Sequence, residues 1–548
     1  MRRITLGLIF GLLLVTLPSL RTAEDNAHIK RPLKVAEYIM GVLDTKFITP
    51  VEVEELVFKG LEASLNSLDP YTDFYDREQT RERNKMWSGI LRVGIGVTIL
   101  YRDGYIVVNS VSEGTPAAKN DFRVGDVIDK VNGEKIWKFN TGYVADLIKG
   151  EEGTEVTIEL NRPLIGTLTK TLKRKNILNT VVPYAGMVNK EVGYIKIDNF
   201  FGGASDSVEA AYKRLKKENA KMLILDFRYN AGGAVKQAIK MANLFLPKDK
   251  VVYYKKPRYE DFKAYKTENE PVDTEIPIIL LINEHSVSAA ELVVGALQDH
   301  DRGVVVGTQS FGKGLVQQTW NTGDSTSMYF TIARYHTPLK RCIQRLDYAN
   351  YSSGMKQEDI PAYSDDIKSE YKTKNGRKYL DFEGIRPDME VKPKEKLPLI
   401  RNLEGSFPVF DFANYFRNTH KEIKPAREFL LADEYFEVFV DFVKKSDFNF
   451  NIPGQGELND FNKIMMDNGY SASLQQSYAA LKKSFDKEKV AQLEALKPEI
   501  NKMLSYKIIG RFYSTSGKYQ YLIDNTPEIV EAVKLFEEER KFRELLGE

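Results

Sequence analysis

The stretch Asn283-Glu284-His285-Ser286-Val287-Ser288-Ala289-Ala290-Glu291 follows the apolar run 276–282. A run of that length reads as a buried strand, and Ala289-Ala290-Glu291-Leu292 reads as a helix start. Strand, polar turn and helix in that order are the repeating unit of an α/β layer. Two other segments also follow apolar strands. Leu225-Asp226-Phe227-Arg228-Tyr229-Asn230-Ala231-Gly232-Gly233 leaves the run 222–227, and Gly307-Thr308-Gln309-Ser310-Phe311-Gly312-Lys313-Gly314-Leu315-Val316-Gln317 leaves 304–306. Ligand sites of such sheets gather at the loops that leave the strands, so the three segments are expected to meet at one sheet edge.

Working outward, the runs 192–197 and 328–333 and the helical stretches 204–217 and 234–246 extend this α/β region over 186–398. A polar, tyrosine-rich stretch at 345–380 interrupts it as an insertion. Upstream, 30–88 is helical and amphipathic, with Leu33, Ala36, Val53, Leu56, Val57, Leu61 and Leu65 at three- and four-residue spacings. Leu68-Asp69-Pro70-Tyr71 breaks that helix, because the proline ring cannot continue it. Residues 89–176 change to short β-runs, with 91–100 and 105–111 joined by the hairpin turn Arg102-Asp103-Gly104. After Pro398 the pattern over 400–548 is helical again, with lysine and glutamate between the apolar faces, and reads as a solvated helical surface. The expected architecture is multidomain α+β: an N-terminal helical segment, a small β domain, an α/β core and a helical C-terminal domain.

The 548 residues exceed what one core organises. Lysine plus arginine (79) nearly balances aspartate plus glutamate (77), which argues against a nucleic-acid partner. The single cysteine, Cys342, makes no intrachain disulfide and reads as structural. Arg2 and Arg3 precede an apolar run from 4 to 17 that Pro18 closes, the make-up of an export signal over 1–23. An uncleaved anchor, which would keep the chain near a membrane, stays open, and no clean cleavage site fixes the cut.

Between 94 and 133 the chain carries Gly94-Ile95-Gly96-Val97, then Glu113-Gly114-Thr115-Pro116-Ala117-Ala118, Val124-Gly125-Asp126-Val127-Ile128 and Val131-Asn132-Gly133. In that order they resemble a PDZ domain over 89–176. The resemblance places Gly94, Ile95, Gly96 and Val97 where such domains receive a chain terminus, since glycines let backbone N–H groups turn toward a carboxylate. Arg92 reads as a solvated residue that could reinforce that site.

Together with Leu68-Asp69-Pro70-Tyr71, the PDZ-like region and the three segments of the core resemble the C-terminal processing peptidases, or tail-specific proteases, over about residues 30–395. In that family a serine lies a fixed distance before a lysine, with a glutamine four residues beyond. Lys313 stands 25 residues after Ser288, and Gln317 four further on. The resemblance therefore selects Ser288, not Ser286, as nucleophile, Lys313 as base and Gln317 as its support. A serine hydroxyl needs a base, and a lysine is one only when burial lowers its pKa by several units. A glutamine carbonyl can align the amine without adding charge. The N–H of Ala289 is one candidate oxyanion donor, and the resemblance favours Gly232 as the second. Two positions depart from the family: Ala290 stands for a third serine and Ala231 for a proline.

The resemblance implies an exported serine endopeptidase in the periplasm or cell envelope of a bacterium. It would act on proteins or peptides with free C-termini, need no cofactor or metal, and leave a homo-oligomer open. Three other readings compete with it. Gly307 to Lys313 matches a phosphate-binding loop, but Gly314 stands where Ser or Thr should hold magnesium. A Ser–His hydrolase would draw on His285, His300 or His336, yet Ser288 lacks a G-x-S-x-G elbow. A catalytically silent PDZ scaffold is the third.

Overall fold

The structure is a computed structural model that describes residues 27–446 and 454–548. The export signal expected over 1–23 lies outside the described residues. No described helix is long and apolar enough to cross a membrane.

The core is a six-stranded sheet in the order Tyr184–Met187, Val192–Lys196, Met222–Asp226, Ile278–Ile282, Val304–Gly307, Met389–Glu390. Its first pair is antiparallel and every later pair parallel. Alternate residues of each strand face opposite sides of the sheet. On one side Leu223, Leu225, Ile278, Leu280 and Ile282 pack against the helices Ala204–Lys217, Val235–Asn243 and Ala289–Asp299. On the other, Tyr194, Ile224, Ile279, Leu281, Val304 and Val306 pack against Ile529, Ala532, Leu535 and Phe536 of the helix Pro527–Glu537. That helix belongs to 400–548, read from sequence as a solvated surface. Its exposed lysines and glutamates hide an apolar face that supplies half of the core sheet's cover.

The remainder of 400–548 has its own core around Phe412, Phe416, Phe436, Phe439 and Leu504. This helical unit also grips the PDZ-like sheet, whose strands run Val97–Arg102, Tyr105–Val111, Val127–Val131, Glu155–Arg162, Gly166–Lys173. Arg102 makes two bonds to Asp411 at 2.6 and 2.9 Å and lies 4.2 Å from the Phe407 ring centre. The run read as one strand over 91–100 is two. Ile90–Gly94 leaves to pair with Lys175–Leu178, and a turn at Ile95-Gly96 separates it from Val97–Arg102. Gly96 has φ +89°, and a Cβ there would fall 2.3 Å from Thr115, so only glycine makes this turn.

The N-terminal helices Ala27–Lys46 and Val53–Leu65 bury little, leaving Leu33, Tyr38 and Leu61 exposed. After the Pro70 break the chain forms a short strand, Asp73–Tyr75, paired with Thr326–His336 in a second sheet. The strand Leu315–Gly323 pairs with Thr326–His336 as well, which brings the start of the chain beside the lysine loop. Cys342 is buried, and burial pushes its thiol up to about 11, as a structural cysteine requires.

Candidate active site

The strand Ile278–Ile282 ends at Asn283, and the chain doubles back before the helix Ala289–Asp299. Ser286 is wholly buried and locked: its Oγ donates to Phe227 O at 2.9 Å and accepts from Asn283 N at 3.0 Å. Ser288 stands at the helix N-cap, partly exposed, with φ +57° and ψ −113°. A non-glycine residue there is strained, and such strain gathers where a side chain must be presented. The two serines thus differ in availability as well as in spacing.

Glu291, one turn into that helix, is buried and accepts four hydrogen bonds. Oε2 takes Ser288 N at 2.7 Å and Lys313 N at 2.9 Å; Oε1 takes Gly312 N at 2.7 Å and Ser310 Oγ at 2.5 Å. Burial pushes its pKa up, and the four donors pull against that. One carboxylate therefore holds the Ser288 turn and the lysine loop in register. Gln344 and Arg345 close the loop from behind. Gly314 N donates to Gln344 Oε1 at 2.8 Å, and a Cβ on Gly314 would fall 2.5 Å from Gln344 N.

The backbone is thereby fixed while the Lys313 side chain runs into a partly buried pocket. Burial lowers its pKa to about 8, against the pull of Asp69 and Glu291 and with help from Arg83. Nζ lies 3.9 Å from the centre of the Tyr71 ring. Among the described residues no hydrogen bond joins it to Ser288 Oγ or to Gln317. Gln317 Nε2 instead donates to Thr331 Oγ1 at 3.2 Å.

The glycine loop lies against the serine turn. Asn230 is buried, donates from Nδ2 to Ile197 O at 2.9 Å, and its main-chain oxygen accepts Val287 N at 2.9 Å. Gly232 N donates to Asn230 Oδ1 at 2.8 Å. A Cβ on Gly232 would fall 3.0 Å from Ser288 Cβ and 3.1 Å from Ala289 N, so only glycine leaves room beside the nucleophile turn. The N–H groups of Ala289 and Gly233 have no acceptor among the described residues. Beneath the loop, Asp226 is buried; Arg228 and Lys196 hold its carboxyl down, at about 2, against the opposing push of burial. Arg228 spans from Asp226 to Glu528 of the helix Pro527–Glu537, at 2.6 and 3.1 Å.

The roles of Glu291, Asp69, Tyr71 and Asn230 are not assigned by any pattern in the segments that contain them. Glu291 was findable as a cap residue only, since Ser288-x-x-Glu291 has capping-box spacing. The reach of Tyr71 to Lys313 crosses more than 240 residues, and no local pattern announces it.

The rivals fare differently. The N–H groups of Gly312 and Lys313 are spent on Glu291, and the chain runs on into a strand, so no helix terminus stands behind the loop to hold a phosphate. His285 stacks on Tyr229, His300 faces Val251 O and His336 faces Lys340 O. None of the three is hydrogen-bonded to Ser288.

Comparison with known proteins agrees with this layout. Family models match as Peptidase family S41 over 191–349, PDZ domain over 107–162, and Probable PDZ-protease, C-terminal helical domain, over 399–536. A carboxy-terminal-processing protease of Bartonella bacilliformis is 31% identical over 61% of this chain and 77% of its own length. The carboxy-terminal processing protease CtpA of Bacillus subtilis is 33% identical over 52% of this chain and 60% of its own. Among solved structures, the photosystem II D1 C-terminal processing protease matches at 23% identity and TM-score 0.36, over 66% of this chain and 86% of that one. The chain belongs to the carboxy-terminal-processing protease family of serine-type peptidases.

Proposed function

We propose that this protein is an endopeptidase that cuts proteins presented by their C-terminal tails, with Ser288 as nucleophile and Lys313 as general base. The observation that carries the reading is Glu291, one buried carboxylate that ties the turn of a strained serine to the loop of a lysine that burial moves toward neutrality. Neutral Lys313 takes the Ser288 proton as Oγ attacks the scissile carbonyl. The tetrahedral oxyanion is received by Ala289 N–H and the glycine loop at Gly232. In the present arrangement Gly233 supplies the unspent N–H of that loop, and Gly232 would do so on leaving Asn230. The lysine ammonium then protonates the departing amine, and water hydrolyses the acyl-enzyme by the same route. Gln317 would align the amine once its side chain turns from Thr331.

Gly94, Ile95, Gly96 and Val97 are proposed to receive the substrate's terminal carboxylate. The N–H groups of Ile95 and Gly96 have no acceptor among the described residues, which supports the reading. We keep 30–88, 89–176, 186–398 and 400–548 as functional units, the last also serving the core. Export to a bacterial envelope, closeness to a membrane and self-association belong to the same proposal. The test is proteolysis of an unfolded, tailed substrate. Ser288→Ala and Lys313→Arg are expected to lose turnover with the fold intact, because guanidinium stays protonated, while Ser286→Ala retains some. Full activity in Ser288→Ala overturns the assignment.

A further inference from the structure

Tyr71 sits in the N-terminal segment, far in sequence from the peptidase core, yet its ring lies under the Lys313 amine, with Nζ 3.9 Å from the centroid. The ring is held from three directions. Asp69 Oδ1 accepts Tyr71 N at 2.8 Å, and Asp69 Oδ2 accepts Thr72 Oγ1 at 3.1 Å. Thr72 Oγ1 accepts Thr331 N at 3.2 Å, which pins the Pro70 turn to the strand that also supports Gln317. The Tyr71 hydroxyl lies 3.0 Å from that of Tyr348, with the rings edge to face at 5.8 Å. Tyr348 comes from the insertion at 345–380. Burial keeps the Tyr71 phenol neutral by pushing its pKa up.

An aromatic face attracts an ammonium ion and has no comparable hold on a neutral amine. The base needed at Ser288 is the neutral form. We propose, resting on the Ser288–Lys313 reading, that Tyr71, anchored by Tyr348, is a positioning residue that parks the protonated Lys313 side chain away from Ser288 and releases it when the amine deprotonates. The parked arrangement accounts for two otherwise unrelated facts: Lys313 makes no hydrogen bond to Ser288 or Gln317, and Gln317 has turned to Thr331. It also gives the N-terminal segment and the insertion, neither of which supplies a reacting group, a shared hold on the base. The backbone of Lys313 cannot take part in the change, since Glu291 and Gln344 clamp both ends of its loop. Only the side chain is free to swing.

The other charges facing Lys313 are the Asp69 and Glu291 carboxylates, which favour the ammonium, and the Arg83 guanidinium, which disfavours it. Neither variant removes any of these charges, and Tyr71→Leu keeps an apolar side chain over the amine so that most of the burial that lowers the Lys313 pKa is retained and the ring face is what is lost. Removing the ring face destabilises the ammonium alone. Tyr71→Leu should move the acid limb of kcat/KM down by roughly 0.5–1 pH unit, a gain of about three- to tenfold below the limb. Tyr348→Phe deletes only the anchoring hydroxyl, is safer for the fold, and should move the limb the same way by less.

The experiment measures kcat/KM against pH for the full chain on a fluorogenic peptide with a free C-terminus, in wild type and both variants. In parallel, the Lys313 amine is titrated by NMR in lysine-labelled protein, its signal assigned by loss in Lys313→Arg. Downward shifts in both readouts support the latch. A limb that stays put or moves up, or turnover that falls equally at every pH with the amine titrating as in wild type, overturns it and leaves Tyr71 as packing. If Lys313→Arg keeps its turnover, the dyad reading fails instead, while the NMR titration still decides whether the ring holds the amine.

Discussion

The loops at 94–97 and 307–314 are both rich in glycine, and both read in sequence as places where backbone N–H groups could meet an anion. They are opposites in the structure. The N–H groups of Gly312 and Lys313 are spent on the buried carboxylate of Glu291, an anion the protein supplies itself. Those of Ile95 and Gly96 meet no acceptor among the described residues. A glycine loop is an open cradle only where the fold has not already filled it. The loop at 307–314 is a fixture that positions a side chain, and the loop at 94–97 keeps its N–H groups open to an acceptor from outside.

The sharpest way to break this contrast is to empty the filled cradle. Glu291→Gln keeps the volume but replaces one acceptor oxygen with an NH2 that faces two donors. Unsatisfied buried donors cost about 1–3 kcal/mol each, so two give roughly a hundredfold loss or more in kcat/KM, together with a lower melting temperature. Measuring kcat/KM beside a thermal melt checks it. Activity within tenfold of wild type would mean that the lysine loop keeps its register without this carboxylate.

The open cradle is tested by its ligand. In Ser288→Ala full-length protein, a peptide with a free C-terminus should bind about ten- to hundredfold tighter than the same peptide amidated, the worth of a charge-assisted hydrogen bond. Gly96→Ala should abolish the difference, since the added Cβ meets Thr115 and the φ of +89° suits only glycine. Equal affinities measured by calorimetry would remove this loop from tail recognition.

What was legible in the sequence follows the same divide between local and distant causes. The turn carrying Ser288, the glycine loop and the lysine loop each lie within about ten residues, so strand, turn and helix signals sufficed to place them at one sheet edge. The strands of the core read as unbroken apolar runs because both faces are covered. That pattern demanded a second covering layer, but nothing local said that Leu535 and Phe536 would provide it. An amphipathic helix shows that it has an apolar face and not what the face will meet. The Tyr71 contact and the Arg228–Glu528 bridge escaped for the same reason: each joins residues hundreds of positions apart.

The smallest expected effect concerns the charge that the filled cradle leaves in place. Lys313 titrates near 8 in the folded protein against an ordinary value of 10.5, because burial penalises its ammonium form. Between those two values the unfolded chain binds the proton more readily, so raising the pH through that window favours the folded state. Below pH 8 both states carry the charge, and the folded protein bears the whole penalty. Lys313→Met removes the charge and keeps most of the volume. It should therefore melt a few degrees above wild type at pH 7, with the gap closing as the pH rises from 8 toward 10.5. The cation–π contact with Tyr71 is lost in the variant and trims the gain, which is why it should be small. Melting curves of both proteins at pH 7 and pH 10 decide the matter. A gap that is absent at pH 7, or that widens with pH, would show that the ammonium is comfortable in its pocket and that the lysine is not poised to act as a base.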